Sequence, residues 1–472
     1  MNRADSLASL PDVTRLLLPA LIVLLVAVWL GGGVPLDDTA ADQWLQLLAL
    51  PLILIAAAAL TAEGGHSRLT RAGIVVALLV AAVPLLQLLP LPDGLWNTPA
   101  ARQALSADLR QAGVESGQWH WTLSPSSTEG SLWALLPALA GFLLSLAVPA
   151  SMRRRVVQVI VMVLLANVLF AFFQAGLPPG STLRLYQDFD AGFGGLLVNT
   201  NHQATALIIG MVLAVGLAVE AHRRAARGHT ASQMPWWYGA LAGMFLLLVP
   251  LSTSRAGVAI ALPALAAALV MTGALSPSRI GRSKATMAVA AVIALLAIIG
   301  AWSAQGWMQV DEAEELRHTL ARAAMGMAVA QEPLGSGIGS LIPVFEQHAP
   351  PALWLSNYVN HVHNEYAQWW LTGGLLAMLA LAAVLVLLAI AGLRLLRLHV
   401  KGGHAALAAA CFVAVCAVLA HSWADYPLRT TALNTTVAVL AGLMLVSLAD
   451  ARARIRSRHA PSNEHTGTTH PA

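Results

Sequence analysis

The stretch from Glu332 to Gln368, EPLGSGIGSLIPVFEQHAPPALWLSNYVNHVHNEYAQ, is a long polar interruption in a very apolar chain and carries His361-Val362-His363-Asn364-Glu365. A neutral imidazole, with an ordinary pKa of about 6.5, takes a hydroxyl proton at neutral pH, which makes His363 the candidate general base. Residues four apart share a helix face, so His361 would lie with Glu365, and Asn364 with Gln368, the latter two suited to sugar hydroxyls. A metal reading would use His361, His363 and Glu365 with Glu346 or His348, but His-x-His on a helix sends its ligands to different faces. A structural reading has the histidines only cap and pack the start of the next helix. Gly335-Ser336-Gly337-Ile338-Gly339 lacks the strand before and helix after of a nucleotide fingerprint, and reads as a tight turn positioning the loop.

Four arginines offer complementary charge. Arg255 stands in Ser252-Thr253-Ser254-Arg255-Ala256-Gly257, and Arg429 follows Asp425 in His421-Ser422-Trp423-Ala424-Asp425-Tyr426-Pro427-Leu428-Arg429. Arg317 and Arg322 lie between Glu312 and Gln331, where Gly326 is the one Gly or Pro, so that segment is expected to be an amphipathic helix. A guanidinium donates two parallel hydrogen bonds, so these four suit a lipid-linked phosphate or pyrophosphate. Charges at membrane depth cost roughly 2.5–3.5 kcal/mol and tend to be functional or paired. The competing reading has Arg255 and Arg429 reaching lipid headgroups, with Arg429 paired to Asp425. Trp96, Trp119 and Trp121 could stack on sugar rings, whereas Trp236, Trp237, Trp369 and Trp370 read as an interfacial belt.

The elements that must position these groups are membrane helices. The 472-residue chain is 57% hydrophobic and 11% charged, with mean hydropathy +0.69. A soluble domain carries about 25% charged residues. The net charge of +4 is better read loop by loop than as a nucleic-acid signal. Runs of the roughly 20 apolar residues that a span needs fall near 16–32, 44–62, 73–91, 132–149, 156–176, 204–220, 236–252, 256–274, 286–303, 369–393, 404–422 and 431–449, about twelve in all. Only Thr253-Ser254-Arg255 separates the seventh from the eighth. Arg3, Arg15 and Thr39-Ala40-Ala41 mimic a signal peptide around the first run, but the later spans favour an uncleaved helix.

Lys and Arg gather on alternate connections, at Arg68 and Arg71, Arg153 to Arg155, Arg223 to Arg227, Arg279 to Lys284, Arg394 to Lys401, and in the tail from Arg452 to Arg458. Asp37, Asp38 and Asp42 begin the other set. Both termini are therefore expected in the cytoplasm and His363 on the opposite face, the periplasm of a bacterium. Loops 92–131, 177–203 and 304–368 would share that face. Ser126, three residues before Glu129, is expected to start a helix as a capping box. The polar tail 451–472 is expected to be disordered. Cys411 and Cys416 read as soft packing residues in an apolar run.

The ordered set Asn199-Thr200-Asn201-His202, Thr253-Ser254-Arg255-Ala256-Gly257, Glu332-Pro333-Leu334-Gly335-Ser336-Gly337-Ile338-Gly339, His361-Val362-His363-Asn364-Glu365-Tyr366 and His421 to Arg429 resembles the O-antigen ligase and O-antigen polymerase superfamily of bacterial envelope enzymes. The resemblance covers roughly residues 160–450. Pro84-Leu85-Leu86-Gln87-Leu88-Leu89-Pro90-Leu91-Pro92 also looks like members linked to exopolysaccharide. It implies an all-α polytopic inner-membrane glycosyltransferase with a C-type (GT-C) membrane fold and no metal, nucleotide or redox cofactor. It divides the chain into transmembrane helices within 1–155, a ligase-like domain over 156–450 and the tail. The implied donor is a glycan on undecaprenyl pyrophosphate. The implied acceptor is a hydroxyl on lipid A-core, on another lipid-linked glycan or on a protein. His363 would activate the acceptor, and Arg255 with Arg317 or Arg322 would hold pyrophosphate, with Arg429 as a further donor contact. His361, Asn364, Glu365, Asn201, His202, Gly335, Gly337 and Asp425 would support them. Ligase and polymerase share this donor and this attack. The alternative is a transporter or flippase for lipid-linked saccharides, disfavoured because no pair of broken helices appears in matching halves.

Overall fold

A computed structural model of the chain describes residues 13–35, 39–64, 66–114, 119–178, 180–186, 192–275, 312–354, 359–400 and 405–458. The expected span 286–303 lies outside the described residues, as do Asp37, Asp38, Arg279, Arg282, Lys284 and Lys401. Three apolar helices come first, α1 (Thr14–Gly31), α2 (Ala40–Glu63) and α3 (Arg68–Gln87). A small polar unit follows, in which β1 (Pro90–Leu91) pairs antiparallel with β2 (Trp119–His120) around α4 (Asp93–Trp96) and α5 (Ala100–Gln111). The chain re-enters the bundle through α6 (Pro125–Ala134), α7 (Leu136–Ala147), α8 (Ala150–Ala175), α9 (Thr200–Ala225), α10 (Met234–Leu248) and α11 (Arg255–Met271). After the amphipathic α12 (Glu312–Ala330) and the short α13 (Leu341–His348) come α14 (Glu365–Val400), α15 (Ala406–His421) and α16 (Thr431–Arg458).

Among the described residues nine helical segments are long and apolar enough to cross a membrane, with α6 and α7 forming one of them. The helices α11 and α15 are apolar but shorter. The chain is thus an all-α polytopic membrane protein. Three local expectations need correction. The helix at 125 starts with Pro125 in its first turn after Ser124, and Ser126 lies inside it, because proline suits a first turn whose N–H groups have no partner. The helix α14 begins only at Glu365, so His361 and His363 are not helical and the four-apart argument does not apply to His361. The helix α16 runs on to Arg458, past the expected start of the tail.

The central element is α9, buried along most of its length and packed against α8, α10, α11 and α15. Small residues let the backbones approach, as membrane helices require. A Cβ on Gly216 would fall 2.5 Å from the Ala410 Cβ, and one on Gly442 would fall 1.9 Å from the Ser145 Oγ. The N- and C-terminal parts of the chain are joined by Trp29, whose Nε1 donates to the Thr436 Oγ1 at 3.0 Å, and by the Arg153–Asp450 ion pair at 2.7 Å.

One break in this regular packing organises the polar end. Gly374 sits at φ 58°, ψ −154° inside α14. The turn after α12 fits into that break: the Ser336 N–H donates to the Leu371 carbonyl, Gly337 N–H to Thr372, and Leu375 N–H to Pro333. The peptide groups freed by the kink are therefore satisfied by protein, as lipid-depth backbone demands. A Cβ on Gly374 would lie 2.5 Å from the Gly335 nitrogen, and this φ and ψ suit glycine alone. Replacing Gly374 by Ala is expected to cost more than about 2 kcal/mol and lower the unfolding midpoint in detergent. Gly239→Ala, at an open position on α10, is expected to leave the midpoint unchanged, and the two are compared by thermal unfolding.

Candidate functional site

Three helix N-termini meet at the polar end of the bundle. The Asn199 side chain accepts from the Asn201 N–H at the start of α9, Ser254 from Gly257 at the start of α11, and Asn364 from Ala367 at the start of α14. Each cap satisfies one N–H and leaves the positive end of the helix facing the same space. That space is a cavity of about 520 Å³ lined by Thr200, Asn201, Thr253, Arg255, Ala256, Arg317, His318, Ala321, Arg322, Met325, His363, Asn364, Trp423 and Ala424. Among the described residues its wall holds three arginines and no carboxylate. Helix termini and guanidinium groups converging on one cavity have the charge and donors that suit an anion.

The amphipathic face of α12 explains how its arginines arrive there. Leu320, Ala324 and Ala328 are buried on a cluster with Leu341, Phe345, Val362 and Leu371. Arg317, Ala321, Arg322 and Met325 lie on the opposite, cavity side. Arg317 is close enough for its charge to act on Asp425 and Tyr426, which favours it over Arg322 as the arginine nearer His363.

His363 is held at φ 52°, a left-handed conformation that a non-glycine residue adopts only when its surroundings enforce it. Its Nδ1 lies 3.2 Å from the Asp425 Oδ1, and the Asp425 side chain is buried. The turn carrying Asp425 is fastened to the start of α14 by Glu365. The Glu365 N–H donates to the Ser422 carbonyl, and its Oε1 accepts from the Ser422 Oγ at 3.2 Å and the Leu428 N–H at 2.8 Å. Burial opposes ionisation of Asp425, but the hydrogen bond with His363 and nearby positive charge, including Arg317, outweigh it and hold the carboxyl below the usual range. An ionised Asp425 only accepts, so the His363 Nδ1 is the donor of this contact, and in the neutral imidazole Nε2 is the acceptor. The fold stability linked to that ionisation is present above the ordinary carboxylate pKa and is lost as pH falls through the lowered one.

The other expected residues separate by role. His361 is buried, with Nε2 3.2 Å from the Pro35 carbonyl and Nδ1 3.3 Å from the Gln368 Nε2. Burial, then the charge of Arg429, pushes its pKa down to about 3, so it stays neutral and is a poor base. Gln368 is buried in that contact and does not meet the cavity, contrary to a sugar-binding role. His202 is buried edge-on to Tyr426, whose ring also meets His361 and His363 at centroid distances of 5.0, 4.4 and 4.8 Å. Arg429 is not in the cavity wall, and Asp425 is not its partner as the sequence suggested. The charge of Arg429 falls instead on His361 and Glu365. Gly335 and Gly337 face α14 and Thr122, since a Cβ would meet Gly374 at 2.4 Å or Thr122 at 1.8 Å. Trp96 and Trp119 stack on each other at 5.6 Å, and neither lines the cavity.

Residues 239–382 match the family model described as O-antigen ligase. This match supports a relationship of that segment to the O-antigen ligase and polymerase superfamily. The matched segment contains Arg255, Arg317, Arg322 and His363, while the family match stops short of Asp425 and begins after Asn201. No curated protein matches the chain. Sequence reasoning missed Trp423, which is 65% exposed and lines the cavity. A tryptophan set between Ser422 and Ala424 in a short turn was the available signal. Arg255→Gln and Arg317→Gln are each expected to weaken binding of inorganic pyrophosphate about tenfold, or about 1.4 kcal/mol, and added salt is expected to weaken wild-type binding further. Calorimetry on the detergent-solubilised protein checks both.

Proposed function

We propose that the protein transfers a glycan from undecaprenyl pyrophosphate to an acceptor hydroxyl on the periplasmic face of the bacterial inner membrane, as a ligase or polymerase. The observation that carries this reading is the placing of one carboxylate-backed histidine on the wall of an arginine-lined cavity. Arg255, Arg317 and Arg322 hold the two phosphates at the helix N-termini. The acceptor O–H gives its proton to the His363 Nε2 as its oxygen bonds to the anomeric carbon. The bond from that carbon to the phosphate oxygen breaks, and undecaprenyl pyrophosphate leaves with the electron pair. Attack opposite the leaving group inverts the anomeric centre. Arginines stabilising the charge that grows on the pyrophosphate supply an electrostatic contribution of a kind that is often large. The acceptor base contributes ~10²–10⁴-fold. No step in this scheme uses a metal, and the wall of Trp423 offers an aromatic face for a sugar.

The placement on the periplasmic face is supported by charge. Arg153 to Arg155 start α8, Arg223 and Arg224 end α9, and Arg394 and Arg397 lie late in α14, all at the end away from His363. A transporter would need the break in α14 to line a path. Its freed groups are instead occupied by the turn at Pro333 to Gly337.

His363→Ala is expected to abolish transfer from a lipid-linked donor while the protein still inserts and accumulates, read on gels of surface glycans and in a reconstituted assay. Undiminished transfer by that variant removes the general-base role. Asp425→Asn is expected to lower kcat by on the order of 10²–10⁴ with little change in donor KM, because the imidazole loses its orienting carboxylate. His361→Gln is expected to cost about 1–3 kcal/mol of stability through its broken buried contacts yet keep transfer within tenfold of wild type.

A further inference from the structure

The polar unit between α3 and α6 lies outside the matched segment, yet it grips that segment at the turn following α12. The Arg102 Nη2 donates to the Gly335 carbonyl at 2.7 Å and to the Trp121 carbonyl at 2.6 Å. The Trp121 Nε1 donates to the Leu334 carbonyl at 2.8 Å. The Leu123 N–H donates to the Ser336 carbonyl, and the Thr128 Oγ1 to the Ile338 carbonyl at 2.7 Å. The Gln87 side chain bridges the turn and α14: its Oε1 accepts from the Ile338 N–H and its Nε2 donates to the Thr372 carbonyl. Every residue from Leu334 to Ile338 except Gly337 has a backbone group held by this unit or by the helices that flank it. Gly337 meets it by packing, with Thr122 where a Cβ would go.

Arg102 makes the arrangement unusual. It is fully buried, its guanidinium lies 5.2 Å from the Trp96 ring, and its Nε and Nη1 have no hydrogen-bond partner among the described residues. Burial pushes its pKa down to about 10, so it remains a cation. A buried cation held by two carbonyls and one aromatic ring is costly. A fold that needed only an apolar filler there would do better without it.

We infer that Arg102 and Trp121 are positioning residues, which clamp the turn at Leu334 to Gly335 and thereby fix where α12 carries Arg317 and Arg322 over His363. The apolar face of α12 sets its distance from α14, but apolar packing is non-directional. Directed hydrogen bonds at the turn set its tilt and register. Arg322 and Arg317 stand eight and thirteen residues before the last helical residue, Ala330, which is roughly 12 and 20 Å along the axis at about 1.5 Å per residue. A tilt of about 10° about the turn moves these side chains by roughly 2 and 3.5 Å. A misplacement of about 1 Å can cost ~10²-fold in rate.

The test is a distance measurement, which stands whether or not the transfer reading holds. With Cys411 and Cys416 replaced by Ala, spin labels go on Glu315→Cys of α12 and Leu251→Cys of the bundle, and a control pair on Trp44→Cys and Leu251→Cys. Wild type is expected to give a narrow distribution for the first pair. Arg102→Gln is expected to shift or broaden it by roughly 2–4 Å, the lever displacement above, and to leave the control pair unchanged. An unchanged first pair overturns the clamp. Should Arg102→Gln also disturb the control pair, Trp121→Phe, which removes only the donor to Leu334, decides in its place by the same criterion. In a transfer assay, which does rest on the proposed function, Arg102→Gln is expected to raise donor KM about tenfold, and Arg102→Gln with Arg317→Gln to be no worse than Arg317→Gln alone.

Discussion

A carboxylate buried against an imidazole is the interaction on which the polar end of this molecule depends. Asp425 is removed from water and would be driven neutral by burial, were it not for His363 and the surrounding cations. The ion is tolerable only in that company. The geometry follows from this need. Glu365 fastens the turn that carries Asp425, and the left-handed backbone at His363 aims the ring at it. The strain at His363 and the buried charge at Asp425 each cost stability, and both fall at one point on the cavity wall, where strained residues tend to be functional.

The cavity beside this pair is electropositive for two independent reasons. Three guanidinium groups line it, and three capped helix N-termini open onto it. The first is a matter of side chains, the second of topology, since α9, α11 and α14 must all begin at the same end of the bundle. The proposed donor chemistry asks for positive charge that is fixed before the leaving group departs. Helix termini buried in a bundle are fixed in that sense, whereas Arg322 on the exposed side of α12 is held through α12 alone.

Hydropathy placed most of the described membrane helices within a few residues because lipid-depth packing demands long apolar runs, and the break at Thr253-Ser254-Arg255 between α10 and α11 was visible as a short polar interval. The site was legible where residue type sufficed: Arg255, Arg317, Arg322, His363, Asn364 and Asn201 share one cavity. It was illegible where pairing decided. Asp425 and Arg429 are four apart in one turn, which suggests a pair, but the 3₁₀ turn at Pro427–Arg429 sends them to different partners. His361 and His363 look alike in sequence, and only the positive φ at His363 and the burial of His361 separate a residue facing the cavity from a structural one. The first third of the chain read as loops and spans, because its hold on Leu334 to Ile338 runs mostly through backbone carbonyls, which carry no sequence signature.

The central claim is that pyrophosphate lies under Arg255, Arg317 and Arg322 with the anomeric carbon toward His363. The most direct test is an experimental structure with a non-hydrolysable phosphonate analogue of a lipid-linked saccharide. The account requires both phosphorus centres within the cavity, contacted by at least two of those arginines, and the first sugar between His363 and Trp423. Phosphates bound instead at Arg429, or a sugar away from His363, would contradict it.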